Sequence, residues 1–292
     1  MVERNRSKRT YKNAICTACH LTDGERNMET PGKPEREYSV TEILGRSFNL
    51  YSQHFVNLYL PFLAAAIVSG LLGALIAAMV WVPSIWDPFG AYDLVDLSRL
   101  LGYLGALIGA AVLSGIISWV VSTLAMGAAI RYASEAIGKG RADLSDSVSY
   151  TASRLLTLLG AGIITGILIV IGLILLIVPG VILFLMFAVV VPTIVIEKQG
   201  IFESLGRSRK LMGRRWLKAF ALFILIGIIL VIVGAVAGAI SVFFGPLSSL
   251  VSSIISALAQ PIYAVALVYL YYSMLAKEGE ARPPEGPLGG PI

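Results

Sequence analysis

The sequence predicts an all-α, polytopic transmembrane helical bundle of about six spans, and three observations carry that expectation. First, apolar residues fill 57% of the 292 positions and charged residues 14%, with a mean hydropathy of +0.80. A soluble domain carries about 25% charged residues, so a chain this poor in charge cannot cover a water-facing surface. Second, Asp, Glu, Lys and Arg are absent between Arg46 and Asp87, Arg99 and Arg131, Arg154 and Glu197, and Lys218 and Lys277. A hydrocarbon core about 30 Å thick needs roughly 20 apolar residues per helix. Third, 22 of the 23 Lys and Arg residues fall on one side of the resulting topology, with Arg99 alone on the other. That asymmetry places both termini in the cytoplasm of a multi-pass protein of the cell (plasma) membrane.

Residues 1–38 are polar and are expected to form an unstructured cytoplasmic tail. Cys16, Cys19 and His20 within it fit the C-x-x-C-H pattern of haem attachment. Cytoplasmic placement and a tail too short and polar to fold around haem count against that use. One C-x-x-C is also only half of a structural zinc site, so neither cofactor nor metal is expected. Translation from Met28 would remove all three residues.

The membrane domain is expected over 39–277, with spans near 57–82, 101–130, 156–178, 181–197, 219–244 and 249–275. Pro179-Gly180 and Gly245-Pro246 divide the two longest charge-free stretches and read as hairpin turns. The fourth span is the shortest. Asp87, Asp93 and Asp96 fall in the first outer loop. Residues 278–292 are rich in Pro and Gly and are expected to be a disordered tail.

A repeat underlies these elements. Leu44-Gly45-Arg46-Ser47 recurs as Leu205-Gly206-Arg207-Ser208, and at the same offset His54 meets Arg215 and Phe55 meets Trp216. A middle copy sets Ser147 on Ser47 and Arg154 on His54. Each copy reads as an interfacial amphipathic helix ahead of a transmembrane hairpin, giving three units. In the third, Ile201, Phe202, Leu205, Met212, Trp216 and Phe220 share one side, with Arg207, Lys210, Arg214, Arg215 and Lys218 mostly opposite and Arg209 an exception. A basic amphipathic helix bounded by an aromatic residue suits the membrane surface.

The run Pro179-Gly180, Pro192, Glu197, Gly200, Glu203-Ser204-Leu205-Gly206-Arg207-Ser208 and Trp216, with Leu270-Tyr271-Tyr272 and Glu278-Gly279 near the end, resembles a known pattern. It is similar to the membrane domain of glycerophosphoryl diester phosphodiesterases and to related stand-alone six-span membrane proteins of bacteria and archaea without assigned activity. Ser273 and Leu275 depart from the Asp and Arg of that pattern. The resemblance, over about 39–280, implies a six-span helical module; it does not imply phosphodiesterase activity, which belongs to a separate barrel domain that no stretch here could encode.

Apart from Glu197 at the very end of the fourth, the spans contain no Asp, Glu, Lys or Arg, the usual marks of ion paths and proton relays. No catalytic site, metal site or cofactor is recognisable, and an enzyme is not expected. Candidate functional residues are Arg207, Arg209, Lys210, Arg214, Arg215 and Trp216, which would bind lipid headgroups or a partner. Pro192, Gln260 and Pro261 would form a hinge or line a cavity in the alternative, a passive transporter or channel for a small neutral or amphipathic substrate. Membrane lipids, a protein partner or a second copy are the expected partners. The formal charge of +5 flanks spans and calls for no nucleic acid. Gly105/Gly109, Gly162/Gly166 and Gly234/Gly238 have the spacing of close helix contacts, expected within one bundle, with self-association the alternative.

Overall fold

The computed structural model describes residues 37–86, 97–213 and 216–280. Cys16, Cys19, His20, Arg214, Arg215 and most of both tails lie outside the described residues. Within them, six helices or helix pairs are long and apolar enough to cross a membrane: Phe55–Met79, Leu101–Lys139, Leu155–Leu175, Ile177–Glu197, Trp216–Gly245 and Ser248–Ala276. No strand occurs among the described residues. The chain is a multi-pass, all-α membrane protein.

The first unit comprises α1 (Val40–Gln53), α2 (Phe55–Trp86) and α3 (Leu97–Lys139). The second is α4 (Leu144–Ser153), α5 (Leu155–Leu175), and a span broken into α6 (Ile177–Met186) and α7 (Val190–Glu197). The third is α8 (Ile201–Met212), α9 (Trp216–Ser241), a 3₁₀ segment (Val242–Leu247), and a span broken into α10 (Ser248–Ser256) and α11 (Gln260–Glu280). Polar groups start the short helices. Ser39 accepts from the amide of Glu42, Asp143 accepts from that of Ser145, and Glu203 reaches back to the amide of Gly200.

Two turns behave differently. Gly245 makes the expected reversal with φ 53° and ψ −123°, a conformation that suits only glycine. The other reversal lies three residues before its expected place: Leu176 is extended (φ −166°, ψ 145°) and Pro179 sits inside the first turn of α6. A first-turn amide needs no acceptor within the helix, so proline costs nothing there. Gly180 instead lets α6 approach α5 closely, because a Cβ would strike Leu173. The fourth span therefore begins at Ile177 and is as long as the third, 21 residues.

The repeat is borne out in geometry. Ser47, Ser147 and Ser208 are all fully buried, as are Leu58, Leu158 and Ala219 at matching positions one helix later. The junction residues His54 (φ −118°, ψ 33°) and Arg154 (φ −107°, ψ 6°) bend the chain alike. Two residues further on, Val56, Leu156 and Leu217 are exposed by 66, 85 and 63%. Apolar side chains so exposed at three equivalent stations suit contact with lipid.

The helices α1, α4 and α8 turn their apolar faces onto protein. Ile43, Leu50 and Tyr51 of α1 are buried, as are Leu205, Leu211 and Met212 of α8. α1 runs antiparallel along α11: the amide of Tyr38 donates to Ser273 Oγ at 2.9 Å, and the Tyr51 hydroxyl to the Leu258 carbonyl at 2.9 Å. α4 folds back on α3, where Arg131 covers the Tyr150 ring at 4.5 Å, and α8 folds back on α7. Each short helix thus packs on the second span of the preceding unit. For α1 that span is the last in the chain, so the threefold ring closes on itself. The core lies at this basic end, around Ala125–Ile137, Val189–Val195 and Ala264–Met274.

Glycine packing corrects the expectation from spacing. Nothing lies within 4 Å of a Cβ built on Gly105, Gly109, Gly166, Gly234 or Gly238, and only Gly162 meets a neighbour, Trp119. Close approach occurs instead at Gly70 and Gly73, against Leu250 and Ser249 of α10.

Candidate functional site

The basic face of α8 divides into two kinds of residue. Arg207 points inward: its Nε donates to both carboxylate oxygens of Glu197, at 3.2 and 3.3 Å. The same carboxylate accepts from Gln199 Nε2 at 2.6 Å and from the Tyr271 hydroxyl. Glu197 ends α7, Lys198 follows in the left-handed conformation (φ 59°), and that turn aims α8 back so that Arg207 meets the carboxylate. Tyr271 is fully buried on α11. The cluster therefore ties α7, α8 and α11 together at the basic end. Glu197 and Tyr271 were visible in sequence only as parts of a family-like pattern, not as partners.

Arg209 and Lys210 point outward. Arg209 has no polar partner among the described residues. Phe202 lies on the same face of α8 as Arg209, two turns earlier, and is 77% exposed. Trp216, the first residue of α9, is part exposed. Arg214 and Arg215 lie outside the described residues, in the connection between α8 and α9. Lys218, in the first turn of α9, is paired with Glu37 at 2.9 Å.

The candidate hinge residues fall beside two matching breaks. Span four is interrupted at Phe187–Val189, just before Pro192, and span six at Ala257–Ala259, just before Gln260 and Pro261. Proline removes an amide donor and so frees a carbonyl. The carbonyls so freed are those of Ala188 and Ala257, and hydroxyls meet others beside them. Ser208 of α8 donates to the Met186 carbonyl at 2.7 Å, Tyr51 of α1 to that of Leu258, and Thr193 to those of Val189 and Val190. Pro192 is buried, whereas Gln260 is exposed and its side-chain amide makes no hydrogen bond among the described residues. Its depth follows from the packing of α2 on span six. Leu250 meets Gly70, and the Tyr59 hydroxyl reaches the Ile254 carbonyl. That antiparallel register carries Gln260 to the level of Leu60, in the first two turns of α2.

Burial pushes the Tyr51 phenol up to about 12, with the neighbouring Tyr59 hydroxyl adding to the rise. The Tyr51 hydroxyl therefore stays a donor to Leu258 throughout the physiological range. No family model matches this chain, and no curated protein or solved structure does so either.

Proposed function

We propose that this protein is a non-enzymatic module of the plasma membrane, termini in the cytoplasm, that holds anionic lipid headgroups on the outward face of α8. The observation that carries this reading is the way α8 is turned. Leu205, Leu211 and Met212 face the protein, so Arg209 and Lys210 are held outward beside the exposed Phe202. A cation next to an exposed aromatic ring, close to the exposed Leu217, matches a phosphate headgroup above an acyl chain. Arg207 is left out of this face because Glu197 occupies it. The family resemblance agrees with a module that lacks chemistry of its own. A protein partner docking on the same residues is the second occupant this surface would take.

The passive-transporter alternative drew on Pro192, Gln260 and Pro261. Interrupted helices at matching places are typical of transporter binding sites. Here Ser208, Tyr51 and Thr193 bind the carbonyls of Met186, Leu258 and Val190 beside the breaks, and the second spans pack against one another as an apolar core at the basic end. Those observations favour the module.

Native mass spectrometry on protein released gently from its own membrane tests the reading. Each basic residue near an anionic surface contributes about 1 kcal/mol. Arg209→Ala with Lys210→Ala is expected to lower retention of anionic lipid by roughly 30-fold in affinity. Unchanged retention in the double variant would overturn the lipid reading, and loss of a co-released protein instead would move it to the second occupant.

A further inference from the structure

The first helix of the ring is tied down differently from its two counterparts. α4 follows α3 after Gly140–Asp143, and α8 follows α7 after Lys198–Gly200. A loop that short keeps a helix beside its partner even when the contacts between them break. α1 rests on α11, far along the chain, with no short loop joining the two; its link to the bundle among the described residues is His54, which leads into α2, and contacts seat it on α11. Among those contacts are the Tyr38–Ser273 bond, the Tyr51–Leu258 bond and the apolar face of Ile43, Leu50 and Tyr51, with the Glu37–Lys218 ion pair at 2.9 Å tying its start to α9.

One of those contacts lands where span six is weakest. Residues 257–259 have left the helix, and Pro261 has no amide proton to give back toward them. The Leu258 carbonyl in this segment is bound by Tyr51. At the matching break in span four, the Met186 carbonyl is bound by Ser208 of α8, a helix that its loop keeps in place. The two breaks are alike in backbone and differ in how permanently they are capped.

We infer that α1 is a strap over the break in span six: it pivots at His54 on and off α11, and with it off, Ala257–Ala259 becomes a hinge. The pivot lies in the one irregular residue between α1 and α2, whose ring stays edge-on to Tyr132 (centroids 5.7 Å apart). With α1 seated, the Leu258 carbonyl has its donor and the break in span six is held in one geometry. With α1 released, that carbonyl and the unpartnered Gln260 side-chain amide present two polar groups at the level of Leu60, near enough to the headgroups for water to reach them. Span four has no such freedom. Motion of the bundle is therefore concentrated in the third unit. This inference does not depend on what α8 binds.

Hydrogen–deuterium exchange on the full chain in nanodiscs tests it. Residues 40–53 are expected to exchange at least tenfold faster than α4 and α8, and 254–260 at least tenfold faster than the matching 184–190. Tyr51→Phe should speed α1 and 254–260 together, by a further tenfold, while 184–190 stays as it was. In a Cys16→Ser/Cys19→Ser background, Glu37→Cys with Lys218→Cys, bridged by a short bis-maleimide, should slow both segments together. α1 exchanging no faster than α8 would overturn the strap, as would 254–260 failing to follow α1 in either variant. The bridged pair decides the matter if Tyr51→Phe does not fold.

Discussion

Replacing Gly70 by alanine separates glycines that pack from glycines that are merely spaced as if they did. A Cβ on Gly70 would lie 2.6 Å from the Leu250 Cα, 2.9 Å from its Cδ1 and 3.2 Å from Ser253 Oγ. The first of these atoms is backbone, so no rotamer change relieves the clash. α10 has to retreat from α2, and in doing so it strains the bond from Ser249 Oγ to the Gly70 carbonyl, now 3.1 Å. Overpacking of this kind costs about 1–3 kcal/mol, and a lost hydrogen bond adds about 1 kcal/mol. Better helix propensity returns about 1 kcal/mol. The expected balance is a loss of about 2 kcal/mol, or roughly 4–8 °C in Tm for a protein of this size. Gly105→Ala meets nothing within 4 Å and keeps only the propensity gain. The assay is thermal unfolding in one detergent at one scan rate, since membrane proteins unfold irreversibly and the midpoint is partly kinetic. Gly70→Ala unfolding at or above the wild-type temperature while Gly105→Ala falls below it would refute the packing argument.

Ser208→Ala is expected to cost about 1–3 kcal/mol, because the Met186 carbonyl at the break loses its donor. Ser47→Ala, at the equivalent position, should cost under about 1 kcal/mol, since its hydroxyl bonds the Ile43 carbonyl, which also has a helical partner; chemical denaturation of both variants checks the ranking. High pH acts through Tyr51, whose folded pKa is raised to about 12 from its ordinary value near 10. The unfolded chain gives up that proton first, so this stabilisation is whole below about pH 10 and is lost as pH rises toward 12. Unfolding midpoints measured across that window should fall less steeply for Tyr51→Phe than for wild type.

The fold was legible because lipid leaves so plain a mark: charge-free stretches flanked by basic residues gave all six spans within a few residues at most ends. What the sequence hid was contact. Amphipathic periodicity in 201–216 shows that one face is covered, and the same periodicity serves a face on lipid or a face on protein. Leu205, Leu211 and Met212 pack on protein. Arg207 reads as a surface cation by its sign, yet the left-handed turn at Lys198 brings Glu197 to it. The pairing of Glu197 with Tyr271 spans 74 residues and depends on the third unit closing against the second. Arg209, the exception in the helical pattern, is one of the residues that do face outward. Pro179 marked a turn in sequence because proline ends helices, but it also begins them, and here it stands inside a first turn.

The breaks in spans four and six have a cause that the repeat supplies. In every unit the next short helix must come close to the second span of the unit before it. Where α4 meets α3, the contact falls on Gly127, and a Cβ there would strike Thr151; absence of a side chain gives the room and α3 runs on unbroken from Leu97 to Lys139. Spans four and six carry no glycine at that place. They make room by leaving the helix over three residues, and the approaching helix repays the broken backbone with a hydroxyl, Ser208 in one case and Tyr51 in the other. Thr151 and Tyr51 occupy matching positions in the repeat, so the same approach is met once by glycine and once by a break. Proline near each break follows from this geometry, since a helix already interrupted loses little by lacking one more amide. A bound ion or substrate is not needed to explain either interruption.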